Sequence, residues 1–233
     1  MTSRIAVLAS GRGSNLEALL DYLAPRASNA MVTLVASDRP DSGALALAQA
    51  RDIETSSLEM GARYEASLSD LLENHAVDLI VLAGYLKLVP SSVIHSFRGR
   101  MLNVHPALLP AFGGEGMYGA RIHRAVLASG ARVSGATVHF VDEIYDHGAI
   151  IAQWPVPVYG DDTETTLATR VLRAEHALLP RVVDRVASGR IKLGVDNRVS
   201  GVMDIVAPRD AFAPVSGEDL DVAIEAALAL ADS

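Results

Sequence analysis

The sequence predicts an α/β fold: one domain built on a mainly parallel, twisted, Rossmann-like sheet with helices on both faces. Three observations predict it. Apolar runs at 4–9 (RIAVLA), 31–36 (MVTLVA) and 78–84 (DLIVLAG) are nearly unbroken, as in strands covered on both sides. These runs alternate with helical stretches, the pattern of crossover units. A glycine-rich turn, Ser10-Gly11-Arg12-Gly13-Ser14-Asn15, separates the first strand from the first helix, where sheets of this kind gather ligands.

The elements follow in order. Strand 4–9 leads through the turn into a helix from Leu16 to Leu23, and strand 31–36 ends at Ser37-Asp38. A short alanine-rich helix spans 42–51, a weaker strand 52–57, and an amphipathic helix about 63–74. Strands at 78–84 and 101–106 come next, the second ended by Pro106, and a helix covers 119–129. Strands at 135–141 and 149–158 precede the longest helix, 163–189. There Leu167, Val171, Ala174, Leu178, Val182 and Val186 recur at helical spacing. Asp162 or Thr163 is expected to cap it, Pro180 to kink it and Gly189 to stop it. Residues 194–216 read as irregular, and 217–231 as an acidic helix. The expected organisation is a main domain over 1–193 and a C-terminal extension over 194–233.

Composition narrows the function. Half of the 233 residues are hydrophobic, and chains of this length hide roughly 70% of their extended surface without staples. There is no cysteine, which excludes disulfides, a thiolate nucleophile and cysteine-ligated zinc. The N-terminal apolar run, only about five residues, is too short for a signal peptide. No run approaches the roughly 20 residues of a membrane span, so a cytoplasmic protein without membrane partners is expected. The net charge of −8 opposes a nucleic-acid footprint, which needs clustered Lys and Arg.

The glycine-rich turn suits an anion, because backbone N–H groups at a helix start favour negative charge. A dinucleotide fingerprint is imperfect: Leu16 stands at the third glycine, and Asp38 is a late candidate for the ribose. No Gly-Lys-Ser/Thr follows, so a P-loop is excluded. Ser14 and Asn15 add side-chain donors, which favours a mononucleotide or sugar phosphate.

A second constellation lies in MLNVHP (101–106). Alternation along a strand sends Asn103 and His105 to the same side. An amide and an imidazole placed there can both donate to one developing oxyanion. Downstream, in HFVDEIYDHGAII (139–151), Asp142, Glu143 and Asp146 are all eligible to approach His105. A carboxylate beside a histidine favours its protonated form, and Gly148 permits a tight backbone path. His105, His123, His139 and His147 show no metal-ligand spacing. His139 and His123 read as packing or surface histidines, and no metal is expected.

These residues together resemble the 10-formyltetrahydrofolate-dependent formyltransferases, and among them the glycinamide ribonucleotide branch of purine biosynthesis. The matching stretches, in the family's order over about residues 1–193, are SGRGSNLEAL (10–19), VDLIVLAGYLKLVP (77–90), MLNVHPALLPAF (101–112), SGATVHFVDEIYDHGAIIAQ (134–153) and GDDTETTLATRVLRAEHALLP (160–180). The N-x-H-P-x-L-L-P and D-x-G motifs specify the reaction class. The SGxGSN turn and the Glu-His pair in the long helix point to the acceptor.

The resemblance implies a catalytic trio of Asn103, His105 and Asp146. It implies ribonucleotide contacts from Gly13, Ser14, Asn15 and Glu175. It implies folate contacts from Arg63, from Leu86, Lys87, Leu88 and Val89, from Asn103, and from Val141, Asp142 and Glu143. The implied co-substrate is 10-formyltetrahydrofolate and the implied acceptor glycinamide ribonucleotide; a homodimer is left open. Formyltransferases acting on tRNA carry a basic face and a further domain, and formyltetrahydrofolate hydrolases carry an N-terminal regulatory domain. Both fit less well with a charge of −8 and a first strand at residue 4. A non-catalytic nucleotide-binding Rossmann module is the alternative of another class.

Three departures stand out. Residues 113–119 (GGEGMYG) lengthen the loop after LLP, Lys87 replaces a common arginine, and Leu172 occupies a usually polar position in the phosphate site.

Overall fold

Five strands of a seven-stranded sheet run parallel, and the alternation of their side chains builds a core on each face. The computed structural model describes residues 2–26, 28 and 30–201. The parallel strands are β1 (Ser3–Leu8), β2 (Ala30–Ser37), β3 (Glu54–Ser57), β4 (Leu79–Leu82) and β5 (Met101–His105). The antiparallel strands β6 (Val133–Phe140) and β7 (Ile150–Pro157) complete the order β3-β2-β1-β4-β5-β6-β7. The helices are α1 (Ser14–Leu23), α2 (Gly43–Gln49), α3 (Tyr64–Asn74), α4 (Ser91–Ser96), α5 (Ala120–Ser129) and α6 (Glu164–Ala187).

Period-two alternation sorts the core. Ile5 and Val7 of β1, with Leu79 and Val81 of β4, join residues of α1, α2, α5 and α6 in one cluster. Ala6, Leu8, Ile80 and Leu82 face the other way, onto α3 and α4. Both faces are therefore apolar, which is why these strands read as unbroken apolar runs.

Helix α6 lays its predicted stripe on the sheet: Leu167, Val171, Ala174, Leu178 and Val182 have no exposed surface. Each large one contributes roughly 1.5–3 kcal/mol of transfer free energy. Thr163 is the N-cap and forms a reciprocal capping box with Thr166. Asp162 instead binds Arg170 and Thr166. The helix continues through Pro180 as one element, and Gly189, at φ 74°, takes the left-handed turn beyond its end.

The sequence reading missed α4, whose six residues show too little periodicity. It also missed the hairpin of β8 (Lys192–Leu193) and β9 (Val199–Ser200). This hairpin straddles residue 193 and occupies part of a segment read as irregular. The expected acidic helix at 217–231 lies outside the described residues.

The chain runs outward from β1 to β2 and β3, then crosses back to β4 and β5 on the other side of β1. The loops after β1 and β4 therefore part at a switch point, the favoured binding crevice of open α/β sheets. Ser10 stitches them together: its N–H donates to the Gly84 carbonyl (3.1 Å), and its Oγ accepts from Leu86 N–H (3.0 Å). Among the described residues no helix is long and apolar enough to cross a membrane.

Candidate active site

A cleft of about 900 Å³ opens above the ends of β1, β4 and β5. Its floor is the polar end of β5. Asn103 and His105 lie on one side of that strand, and the antiparallel register sets Asn103 opposite His139 of β6. Asp146 arrives from the connection after β6, with its backbone in the left-handed region at φ 55°. The path back is tight: a Cβ on Gly148 would overlap the Phe140 carbonyl.

These side chains close a network. Asp146 Oδ1 lies 3.3 Å from His105 Nδ1 and accepts from Asn103 Nδ2 at 3.3 Å. Asp146 Oδ2 accepts from Gly114 N–H at 2.9 Å. His105 Nε2 lies 2.9 Å from the Phe112 carbonyl. Both ring nitrogens of His105 thus face oxygen acceptors, and only the doubly protonated ring satisfies both.

His139 is the opposite case. Its Nδ1 lies 2.7 Å from the Phe140 carbonyl, which requires a proton there, and its Nε2 lies 3.0 Å from Asn103 Nδ2. Burial lowers its pKa, against the Phe140 carbonyl and the Asp146 charge, so Nε2 is an acceptor. That fixes the Asn103 amide with its nitrogen toward His139 and Asp146.

Burial alone would raise the pKa of Asp146. The hydrogen bond and charge of His105, with the Gly114 N–H and His139, outweigh it and hold the carboxyl below its usual range. The sequence reading makes Asn103 and His105 donors to a ligand oxygen, and the structure adds a condition to it. In this arrangement both amide protons of Asn103 and both ring protons of His105 point at protein acceptors. A reacting oxygen must displace one of them, and the acceptors outside the trio are the Phe112 carbonyl, on His105, and His139 Nε2, on Asn103.

The other end of the cleft is built by α1 and α6. No side chain caps α1, whose N-cap Gly13 sits at φ 89°. Its free N–H groups and dipole favour an anion. Asn15 Nδ2 donates to Glu175 Oε2 at 2.7 Å, while the buried Asn15 Oδ1 has no partner among the described residues. Burial pushes the Glu175 carboxyl up to about 7, although Asn15 and the His105 charge oppose it.

Most residues singled out from the sequence meet here. Ser14, Asn15, Glu175, Leu86, Lys87, Leu88, Val89, Asn103, His105, Val141, Asp142 and Asp146 all line the cleft. Three do not. Gly13 packs against α2, where a Cβ would approach Ala44 Cα to 2.8 Å. Arg63 is the exposed N-cap of α3. Glu143 turns outward to His95, 3.3 Å away.

Of the three eligible carboxylates, Asp142 is spent on its own turn, accepting from Ile144 N–H and binding His147. Only Asp146 faces His105. Lys87 Nζ lies 4.0 Å from Asp38, so the residue weighed as a ribose ligand pairs with a lysine instead.

The sequence reading took His139 and His123 for packing or surface histidines; both are buried, and both also line the cleft. The register that sets His139 against Asn103 is a tertiary fact with no local signal. His123 Nδ1 is buried with no partner among the described residues. The lengthened loop 113–119 contributes Met117 and Tyr118 to the wall, and Arg121 follows it, stacked 4.8 Å from the Tyr118 ring centre. Among the described residues no group of three histidines and carboxylates is placed to hold a metal ion.

A switch-point cleft with a histidine–carboxylate pair and an amide on its floor is the arrangement of an acyl-transfer site. A family model described as formyl transferase matches residues 3–183, and the chain belongs to that family. Within it, the chain is 43% identical over 195 residues to the chloroplastic phosphoribosylglycinamide formyltransferase of Arabidopsis thaliana, covering 81% of this chain and 67% of that protein. It is 36% identical over 200 residues to the phosphoribosylglycinamide formyltransferase of Bacillus subtilis, covering 84% of this chain and 97% of that protein. Among solved structures, glycinamide ribonucleotide transformylase 1 of Symbiobacterium toebii superposes with a TM-score of 0.79 at 37% identity, covering 85% of this chain and 93% of that one.

Proposed function

We propose that this chain transfers the formyl group of 10-formyltetrahydrofolate to the amine of glycinamide ribonucleotide. The products are formylglycinamide ribonucleotide and tetrahydrofolate. The observation that carries this reading is one cleft joining an uncapped helix start, suited to a phosphate, to the Asn103–His105–Asp146 floor. The similarity to phosphoribosylglycinamide formyltransferases supports the choice of acceptor.

In this reading the phosphate lies at the start of α1 near Ser14 and Asn15, and Glu175 takes the ribose or glycinamide end. The folate lies against Leu86–Val89 and Val141. The unprotonated amine attacks the formyl carbon, and the carbonyl oxygen becomes an oxyanion. That oxygen takes over the His105 Nε2 proton from the Phe112 carbonyl. Asn103 turns one amide proton to the same oxygen as its 3.3 Å bond to Asp146 yields. Asp146 stabilises the charged imidazole. The bond from carbon to the folate nitrogen then breaks, and a proton passes from the attacking nitrogen to the departing one. Fixing both substrates in one geometry supplies much of the remaining rate.

The test is an absorbance assay of 10-formyltetrahydrofolate consumption with and without glycinamide ribonucleotide. Consumption that requires the ribonucleotide is expected. Consumption without it would mean a hydrolase, and tight NAD binding with no consumption would mean a nucleotide-binding module.

A further inference from the structure

Asp146 has two carboxylate oxygens, and the proposed chemistry uses one. Oδ1 faces His105 and Asn103, whereas Oδ2 is held by the backbone of the loop after β5. The geometry points to Gly113 and Gly114 as positioning residues of the reaction: they hold Asp146 in the rotamer that serves His105. This inference rests on the formyl-transfer reading and names what aims its carboxylate.

Three consecutive residues touch the histidine–aspartate pair from outside. The Phe112 carbonyl meets His105 Nε2 at 2.9 Å, and the Gly114 N–H meets Asp146 Oδ2 at 2.9 Å. Gly113 between them lies against Asp146 so closely that a Cβ would stand 3.0 Å from Asp146 Cβ and 2.5 Å from Leu109 Cδ2. A side chain at 113 displaces the Leu109 methyl and presses on Asp146 Cβ. Gly114 sits at φ 99°, a conformation other residues adopt at a cost. Its carbonyl accepts from Met117 N–H at 3.1 Å, which closes the turn.

The arrangement gives the lengthened loop a task besides walling the cleft. A carboxylate with one oxygen held by a fixed N–H cannot rotate freely about its last bond, so the other oxygen stays on His105. Asp146 otherwise faces His105 from β5, His139 from β6 and its neighbour Tyr145, on which Glu115 of the same loop also acts. The backbone N–H is the one donor to Oδ2 among the described residues.

The test combines Gly113→Ala and Asp146→Asn in a double-mutant cycle on the full chain. Losing a hydrogen bond to a charged group should lower kcat on the order of 10- to 100-fold, with KM for both substrates changed less than about twofold. The acid limb of the kcat profile should move to higher pH. In the Asp146→Asn background the same substitution should cost less than about twofold, because the carboxylate charge that the loop aims at His105 is gone. An equal loss in both backgrounds, or a uniform loss at every pH, overturns the inference.

Should Gly113→Ala fail to fold, Gly114→Ala tests the same bond through backbone strain alone, since a Cβ there meets open space but the φ of 99° disfavours it. A readout independent of turnover is the carbon-13 titration of the Asp146 carboxyl, assigned by its loss in Asp146→Asn. It should shift to higher pH in the glycine variants, and an unmoved midpoint refutes the clamp. Absence of formyl transfer by the unaltered protein would sink the functional reading while leaving that titration interpretable.

Discussion

Replacing Glu175 by Gln should stabilise the protein at neutral and alkaline pH but not in acid. The carboxyl is only 7% exposed on α6, and Asn15 Nδ2 is its one hydrogen-bond donor among the described residues. Burial pushes its pKa up to about 7 from a reference of 4.5, opposed by Asn15 and the His105 charge. An unfolded chain therefore releases this proton near pH 4.5, while the folded chain retains it to about 7. Across that window the unfolded state binds fewer protons, so stability falls as pH rises. At 1.36 kcal/mol per pKa unit, the loss reaches about 3 kcal/mol by neutral pH. Gln does not ionise, keeps an acceptor for Asn15 Nδ2 and adds donors for the orphaned Asn15 Oδ1. Urea unfolding of both proteins between pH 5 and 8, followed by the fluorescence of buried Trp154, the only tryptophan, measures the gap. It should open with rising pH and level off above 7. A gap constant across the range, or one that closes as pH rises, would refute the argument.

Three further outcomes are expected. Asp146→Asn and His105→Asn should each lower turnover by about 10²–10⁴ with melting temperatures within a few degrees of the unaltered protein, and near-normal turnover in either would remove that residue from the mechanism. Asp162, held down to about 2 mainly by Arg170, contributes stability that is present above its usual pKa and lost as pH falls towards 2. The melting-temperature deficit of Asp162→Asn should therefore be full at pH 6 and shrink on acidification below 4, and a deficit that grows in acid would contradict the assignment. Gly148→Ala should destabilise by about 1–3 kcal/mol, because its Cβ would overlap the Phe140 carbonyl; unchanged denaturant midpoints would show that the turn relaxes freely.

Much of this site is legible in one dimension because it rests on local regularities. Unbroken apolar runs identify β1, β2 and β4, since a strand covered on both faces has no polar side to display. Period two alone puts Asn103 and His105 together, and the glycine turn marks the start of α1. Choosing Asp146 over Asp142 and Glu143 is different. All three sit within five residues, and spacing left them equal; only the resemblance to known formyltransferases separated them.

Tertiary structure supplies the physical reason. Asp142 is consumed by Ile144 and His147 at the surface, Glu143 by His95, and the left-handed backbone at Asp146 turns its carboxyl inward. The same holds for His139, which becomes an acceptor for Asn103 through a cross-strand register, and for Gly113 and Gly114, which meet Asp146 from a loop 32 residues away in sequence. The sequence by itself determined that Asn103 and His105 stand together on one side of β5, because strand periodicity is local. Which way their protons point was decided only by the fold, because each proton is aimed by a partner that lies far along the chain.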